Sequence, residues 1–140
     1  MEKYLKLIEK NAITDELTGL FNRRYFNQIF PEMLQLARND NHSISFIMLD
    51  VDYFKKYNDN YGHQKGDEVL VAIGSAVKSN CKRSSDIPLR LGGEEFGVIL
   101  LEMGHQEGKR VAERIRVGIE ELKINHAFSD TSTYVTASCG

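Results

Sequence analysis

Hydrophobic and polar positions recur with two periods along this chain, and the change of period separates predicted helices from predicted strands. The opening stretch EKYLKLIEK places Tyr4, Leu5 and Ile8 on one side of a short amphipathic helix, with lysines and glutamates elsewhere. A helix of this length is not stable alone. Its apolar stripe therefore needs a partner.

The pattern after the turn-rich connector TDELTGLFN predicts a sheet with helices packed on it. Asn22 is expected to cap a helix that Pro31 kinks or restarts before it ends near Arg38. The nearly continuous apolar run ISFIMLDVD predicts a strand buried on both faces. Further on, GDEVLVAIGSAVKSN predicts a helix, IPLRLGGEEFGVILL two strands joined by a glycine turn, QEGKRVAERIRVGIEEL a helix and TYVTASCG the start of a strand. This order predicts an α/β fold in which one mixed central sheet is flanked by helices.

Composition narrows the class of protein and its partners. The 140 residues, 41% of them hydrophobic, suffice for one core, and a formal net charge of -2 provides no global basic field for nucleic acid. No apolar run approaches the roughly 20 residues that span a bilayer, and the charged N-terminus does not resemble a signal peptide. Cys81 and Cys139 lack metal-site spacing, which suits reduced thiols. We expect a cytoplasmic domain, or the cytoplasmic part of a larger sensor protein, without nucleic-acid or membrane contact.

Acidic residues stand at the end of the first predicted strand and in the hairpin. In isolation Asp50 and Asp52 are equally well explained as solvated residues that terminate a strand. If that strand lies beside the hairpin, however, Asp50, Glu94 and Glu95 converge and raise one another's pKa values unless a cation is present. Carboxylate and carbonyl oxygens suit Mg²⁺ completed by substrate phosphates.

Two glycines precede the paired glutamates of the hairpin. Gly92 and Gly93 permit backbone conformations with positive φ, and the absence of a Cβ atom lets a nucleotide approach the chain closely. The hairpin is therefore a candidate site for a metal ion and a nucleotide.

Three stretches in order, the last of which contains a shorter motif, carry a resemblance to a known family. They are DELTGLFNRR, LDVDYFKKYNDNYGHQKGDEVL, RSSDIPLRLGGEEF and, within the last, GGEEF itself. Together they resemble the GGDEF diguanylate cyclase domain from about Asp15 to Gly140. The resemblance implies a fold akin to class III nucleotide cyclases and polymerase palm domains, of ferredoxin-like type. It also implies condensation of two GTP into cyclic di-GMP with release of pyrophosphate.

The resemblance assigns the metal and catalytic residues by position. Asp50, the carbonyl of Val51 and Glu94 correspond to the ligands of Mg²⁺, with Mn²⁺ as the alternative ion. Glu95 would sit at a second metal or help to deprotonate the attacking 3′-hydroxyl. Such cations neutralise charge on the phosphates and lower the pKa of the nucleophile.

The same matching assigns substrate contacts. Asn58 and Asp67 correspond to positions that read guanine, since an amide can donate to O6 and a carboxylate can accept from N1–H and the exocyclic amine. In isolation both would be interpreted as turn or cap residues, with Asp67 opening a helix. The amides of Tyr53 and Phe54 and the ammonium of Lys55 correspond to a phosphate cradle, although Lys55 alone would be a solvated surface residue.

Three further polar residues admit a functional and a structural interpretation. His63 could act as a general base, but nothing nearby in the sequence forms a relay and the family resemblance implies a structural role. Arg23 and Arg24, in the first turn of a predicted helix, could bind anions. The favoured interpretation is that they brace the fold or a dimer.

The motif RSSD, Arg83 to Asp86, ends five residues before GGEEF. This is the spacing of the family's product-inhibition site, and Arg114 corresponds to a second arginine of that site. Guanidinium groups suit phosphates and guanine edges. A bare RxxD pattern would otherwise be interpreted as polar residues following a helix.

The resemblance also predicts domain organisation. We expect residues 1–13 to form a linker or signalling helix behind an upstream sensor, and residues 14–140 to form the cyclase domain, which acts as a homodimer because each domain carries one GTP. The chain ends inside a strand pattern, so we expect the family's last elements, with their grip on the β- and γ-phosphates, to be missing and turnover to be slow or absent. The alternative functions are a catalytically inactive module that binds GTP or cyclic di-GMP, and an adenylyl cyclase or polymerase-like enzyme, which Asn58 and Asp67 disfavour.

Overall fold

The computed structural model describes residues 2–140. Helices and strands follow one another as α1 (Glu2–Ile13), α2 (Arg23–Asp40), β1 (Ile44–Val51), α3 (Phe54–Tyr61), α4 (His63–Ser79), β2 (Ile87–Gly92), β3 (Glu95–Leu101), α5 (His105–Glu120) and β4 (Ala137–Cys139).

The four strands form one sheet in the order β2-β3-β1-β4, and each neighbouring pair within the described residues is antiparallel. The predicted α/β sandwich is confirmed, but the sheet is not mixed. β1 and β2 run in the same direction, yet they do not pair because β3 lies between them. This order is the split β-α-β arrangement of ferredoxin-like folds.

Alternation along the strands divides the interior into two cores, one on each face of the sheet. On one face, α4 and α5 cover inward-pointing residues such as Leu49 and Phe96, which are 3% and 0% exposed. On the other face, α2 packs against β2 and β3. There the ring centroids of Phe26 and Phe30 lie 5.2 and 5.5 Å from the ring centroid of Phe46.

β1 departs from the prediction of a strand buried on both faces. Met48 is 47% exposed and Asp50 is exposed, whereas Ile47, Leu49 and Val51 between and beside them are buried. The reason is that the aromatic residues of α2 reach only as far along β1 as Phe46. The uncovered half of β1 is the half that carries the candidate site.

The N-terminal helices follow the sequence pattern with one correction. Asn22 caps α2 as predicted, because its side-chain oxygen accepts the amide of Tyr25 at 3.0 Å. Pro31 lies inside a continuous α2, so the helix does not restart there. The apolar stripe of α1 is exposed, with Tyr4 at 70% and Ile8 at 62%.

The segment after β1 is more helical than the sequence predicted. Residues 54–61 form α3 although they are rich in turn formers, and α4 begins at His63 rather than at Asp67. Burial of Phe54 and Tyr57 stabilises α3 in place of a turn. Gly62, with φ of +90°, separates the two helices.

Among residues 2–140, none of the helices has both the length and the apolar character needed to cross a bilayer.

Candidate active site

The pairing of β1 with β3 places two carboxylates directly opposite each other. Asp50 is the register partner of Glu95, and Val51 donates its amide to the carbonyl of Glu94 at 3.1 Å. Like charges at opposed positions of an antiparallel pair are destabilising. The strand pairing thus places Asp50, Glu94 and Glu95 at one end of the sheet, close enough for the two glutamates to raise the pKa of Asp50.

The hairpin turn depends on glycine backbone conformations, as predicted. Gly92 and Gly93 have φ of +151° and +42°, and the two-residue loop consists of Gly93 and Glu94. The register shifts between Arg90 and Gly92, which is a β-bulge immediately before the turn. Bulges redirect side chains and strengthen local twist, and they occur often beside functional sites.

An arginine absent from the predicted site holds this turn in place. Arg90 donates from Nε and Nη2 to the carbonyl of Gly93 at 3.1 and 2.9 Å, and from Nη1 to both carboxylate oxygens of Asp15. Burial would raise the pKa of Asp15, but hydrogen bonds from Thr18 and the Arg90 charge outweigh it and lower that pKa. The connector before α2 is therefore tied to the GGEEF turn.

The acids of this site act on one another electrostatically. Partial burial raises the pKa of Asp50, and the charges of Glu94, Glu95 and Asp52 raise it further. The Asp50 residue as a whole is exposed, so water screens much of this repulsion. The direction of the shift nevertheless marks a place where positive charge would be stabilised.

An open cleft of about 570 Å³ lies beside these acids. Six of its lining residues were predicted as metal or substrate contacts: Asp50, Val51, Tyr53, Phe54, Lys55 and Glu94. Glu95 lines a neighbouring depression that it shares with Asp50. The predicted guanine contacts Asn58 and Asp67 are not among the lining residues of either cavity.

The floor of the cleft is the turn that leads from β1 into α3. Tyr53 adopts a left-handed conformation with φ of +54°, and within residues 2–140 its side chain makes no capping hydrogen bond to the α3 N-terminus that follows it. The first amides of a helix have no partner inside the helix, and its dipole favours anions there. Lys55, in the first turn of α3, is exposed.

Asn58 lies close to the start of the helix that carries Asp67. A Cβ atom at Gly66 would lie 1.8 Å from Oδ1 of Asn58, and this oxygen is buried without a hydrogen-bond partner in the described structure. Asp67 is the next residue and is exposed. Gly66 therefore links the two predicted base-reading residues: Asn58 packs against it, and Asp67 follows it in the chain.

Asp52 was left without a role in the sequence interpretation, and the structure places it at the centre of a hydrogen-bond network. Its carboxylate accepts from the hydroxyl of Thr136 at 2.8 Å and from that of Ser138 at 2.6 Å. Its amide donates to the carbonyl of Thr136 at 2.9 Å. The cleft is thereby attached to β4, and no sequence signal indicated this long-range contact.

The donor set of the cleft fits a hard divalent cation. Within residues 2–140, no three carboxylate, imidazole or thiolate side chains converge into a closed metal centre. Mg²⁺ does not need one, since it takes one or two carboxylates and completes its shell with carbonyl, water and phosphate oxygens. The raised pKa of Asp50 beside Glu94 is the observation that supports this fit.

The predicted inhibitory residues lie at the opposite end of β2. Arg83 donates from its backbone amide and from Nε to the two oxygens of Asp86, at 3.0 and 2.8 Å, and the Asp86 side chain is only 2% exposed. Nη2 of Arg83 contacts the same Oδ1 at 2.8 Å without forming a separate hydrogen bond. The two RSSD side chains are therefore already paired with each other.

Arg114 approaches this pair from α5. It donates to the carbonyl of Asn80 at 2.7 Å, at the C-terminus of α4. Burial and the charge of Asp86 raise the pKa of the Cys81 thiol to about 11, while Arg114 opposes the shift. Cys81 thus lies within electrostatic reach of both, which places all three predicted inhibitory residues in one region.

The remaining candidates lie on the surface. His63 is exposed at the start of α4, and Arg23 and Arg24 are exposed in the first turn of α2.

Comparison with known sequences gives one family over nearly the whole chain. Residues 12–140 match the family described as diguanylate cyclase, GGDEF domain. The response regulator PleD of Caulobacter vibrioides is 40% identical over 129 residues, which are 92% of this chain and 28% of PleD. The diguanylate cyclase VdcA of Vibrio cholerae is 38% identical over 141 residues, covering all of this chain and 40% of VdcA. The chain therefore spans less than half the length of these relatives.

Comparison with solved structures gives the same fold. The coiled coil and GGDEF domain of DgcB from Caulobacter crescentus, solved with c-di-GMP, superimposes with a TM-score of 0.89 at 27% identity, over 99% of this chain and 73% of that one. The diguanylate cyclase SiaD of Pseudomonas aeruginosa, solved with its activator SiaC, gives a TM-score of 0.80 at 37% identity, over 100% of this chain and 53% of that one.

Proposed function

Because this chain belongs to the GGDEF family of diguanylate cyclase domains, we propose that it condenses two GTP molecules into cyclic di-GMP and two pyrophosphates. The observation that carries the proposal is the register pairing of Asp50 with Glu95, with Glu94 alongside, at the mouth of a cleft floored by an uncapped helix N-terminus. Acids on one side and the first amides of a helix on the other suit a metal ion and a triphosphate together.

In this proposal the acids of the cleft hold Mg²⁺, or Mn²⁺ in its place. Asp50, Glu94 and the carbonyl of Val51 are the ligands, and the ion would neutralise charge on the reacting phosphates. Glu95, opposite Asp50 on β3, would bind a second ion or help to deprotonate the attacking 3′-hydroxyl. The carboxylate set supports this assignment because hard cations prefer oxygen ligands.

The nucleotide would lie with its phosphates over the start of α3. The amides of Tyr53 and Phe54 and the ammonium of Lys55 would bind the phosphates, and the turn at Gly92 and Gly93 would let the nucleotide approach the backbone.

Guanine would be read beyond the cleft, by Asn58 and Asp67. The Asn58 oxygen lies against Gly66, which favours presentation of the amide NH₂ group to guanine O6. Asp67 would accept from N1–H and the exocyclic amine. A base that offered the opposite pattern of donors and acceptors, such as adenine, would be bound more weakly.

The proposed reaction needs two copies of the chain, because each cleft carries one GTP and two must face each other. The exposed apolar stripe of α1 supports a role for residues 1–13 in setting that geometry behind an upstream sensor. Arg83, Asp86 and Arg114 would bind cyclic di-GMP as an inhibitory product. The DgcB domain solved with c-di-GMP shows that the ligand binds a related structure, and this supports the proposal for the present chain.

The test is incubation of the purified chain with GTP and Mg²⁺, followed by chromatographic detection of cyclic di-GMP. Glu94→Ala is the blank, because it removes a proposed metal ligand and leaves the hairpin backbone in place. We expect slow formation of product from the wild-type chain and none from the variant. A chain that binds GTP but yields no product at any metal concentration would contradict the cyclase proposal and favour a binding module.

A further inference from the structure

A histidine that the sequence interpretation passed over lies directly beneath the proposed phosphate-binding turn. His126, in the segment between α5 and β4, is 1% exposed. Its backbone amide donates to the carbonyl of Thr133 at 2.8 Å. The ring lies edge-on to Tyr57 and Tyr61, with centroids 5.2 and 6.2 Å away. The backbone hydrogen bond and the two aromatic contacts therefore fix the position of His126.

The hydrogen bonding of the ring selects one tautomer. Nε2 of His126 lies 3.0 Å from the carbonyl oxygen of Tyr53, which can only accept. Nδ1 is buried and has no hydrogen-bond partner among residues 2–140. A proton on Nδ1 would therefore be buried without an acceptor, whereas a proton on Nε2 is satisfied. The contacts of the ring therefore favour the tautomer with its proton on Nε2.

The acceptor of this hydrogen bond is the residue that turns the chain into the site. Tyr53 has a left-handed φ of +54°, a backbone conformation that is unfavourable for residues other than glycine. Its carbonyl also accepts the amide of Tyr57 at 3.1 Å, the first helical hydrogen bond of α3. The bond from His126 therefore stabilises both the turn and the helix N-terminus that floors the cleft.

We propose that His126 is a positioning residue, whose Nε2–H holds Tyr53 in the conformation that presents the start of α3 to the phosphates of GTP. The inference rests on the proposed function, since the group that is positioned is the proposed phosphate site. His126 itself does not touch the nucleotide. It acts through the backbone carbonyl of Tyr53.

Two substitutions separate this role from simple packing. His126→Phe keeps an aromatic ring between Tyr57 and Tyr61 but removes the donor, together with an unpartnered buried nitrogen. His126→Gln carries an NH₂ group near the position of Nε2. We expect thermal stability to change little in His126→Phe, while affinity for 3′-deoxy-GTP with Mg²⁺, measured by calorimetry, falls about tenfold, the factor equivalent to about 1.4 kcal/mol and one hydrogen bond. The analogue lacks the attacking hydroxyl and so cannot turn over. His126→Gln should recover most of the affinity.

The outcomes are distinguishable from failure of the proposed function. If the wild-type chain bound the analogue and His126→Phe bound it equally well, this inference alone would be overturned. If the wild-type chain bound no analogue, both would fail together. In the chain without nucleotide, ¹⁵N NMR of the His126 ring is expected to show the proton on Nε2. A proton on Nδ1 instead would overturn the inference without reference to any ligand.

Discussion

The two ends of β2 carry charged residues of similar kinds in opposite electrostatic states. At the GGEEF end, Asp50 and Glu95 face each other across the strands and the pKa of Asp50 is raised by burial and neighbouring acids. At the RSSD end, Arg83 already binds the buried carboxylate of Asp86. The five residues between Asp86 and Gly92 span roughly 17 Å as a strand.

This difference shows what each end requires from a ligand. The acids at the GGEEF end repel one another, so a cation bound there would relieve this repulsion. The RSSD end is internally neutralised, so a ligand there has to compete with or share an existing ion pair. Metal binding should therefore stabilise the fold directly, whereas product binding should depend on rearrangement of Arg83.

The largest expected effect comes from removing one of the mutually repelling carboxylates at the GGEEF end. Asp50→Asn removes a proposed metal ligand, and we expect cyclic di-GMP formation to fall by at least about 100-fold, a loss typical of removing one group that stabilises transition-state charge. Initial rates at saturating Mg²⁺ measure it. Asp59→Asn, which makes the same charge change on the exposed side of α3, is the matched control. Equal rates in the two variants would remove Asp50 from the site.

A smaller effect is expected when the paired end is broken. Among the described residues, Arg83→Ala leaves the buried Asp86 carboxylate with the backbone amide of residue 83 as its one partner, so we expect the free energy of unfolding to drop by about 2 kcal/mol. Tight binding of cyclic di-GMP should be lost, whereas cyclase rates at low product should persist. Urea unfolding and calorimetry measure the two effects.

The matched control for Arg83→Ala is the double variant Arg83→Ala/Asp86→Ala. Removing the stranded carboxylate should recover stability but not ligand binding. Unchanged affinity for cyclic di-GMP in Arg83→Ala would contradict the assignment of an inhibitory site.

A third substitution tests the base-reading part of the GGEEF end. In Gly66→Ala the new Cβ would lie 1.8 Å from Oδ1 of Asn58, so the amide has to move. We expect affinity for GTP to fall about tenfold and selectivity against ATP to decrease, within the range for one base contact. Gly104→Ala is the control, since a Cβ there meets nothing within 4 Å. Retained selectivity would show that Asn58 does not read the base.

The smallest expected effect is the pH dependence of stability. Because the pKa of Asp50 is raised in the folded state from 3.8, the folded chain binds that proton more tightly than the unfolded chain. The repulsion is fully present above the raised pKa and is relieved as the pH falls towards 3.8. Solvent screening limits the resulting loss of folding free energy to about 0.5 kcal/mol.

Asp50→Asn should therefore be slightly more stable than the wild type at pH 7, and the difference should shrink on acidification. Saturating Mg²⁺ at pH 7 should stabilise the wild type more than the variant. Thermal unfolding across pH measures both, and a difference that grew as the pH fell would give the wrong sign for this account.

Much of the GGEEF end could be predicted from the chain because its residues are close in sequence to strands with strong apolar patterns. The hairpin, its glycine conformations and the convergence of Asp50 with Glu95 follow from alternation and from the turn. The helical conformation of residues 54–61 could not be predicted in this way, because burial of Phe54 and Tyr57 overrides the local turn propensity.

The partners of the site residues were beyond sequence reasoning for a different reason. Arg90 with Asp15, Asp52 with Thr136, and His126 with Tyr53 join positions 75, 84 and 73 residues apart. No periodicity encodes which distant polar groups meet. The antiparallel direction of the sheet was likewise settled by the insertion of β3 between β1 and β2.

By itself, then, the sequence determined the family, the order of the elements and the residues that carry the proposed chemistry, because apolar period and motif spacing are local properties of the chain. The tertiary structure alone decided how those residues are held. It set the partial burial that adds to the raised pKa of Asp50, the ion pair of Arg83 with Asp86, and the buried position of His126 beneath the Tyr53 turn. Charge repulsion, desolvation and hydrogen bonding depend on distances between remote segments, and only folding sets those distances.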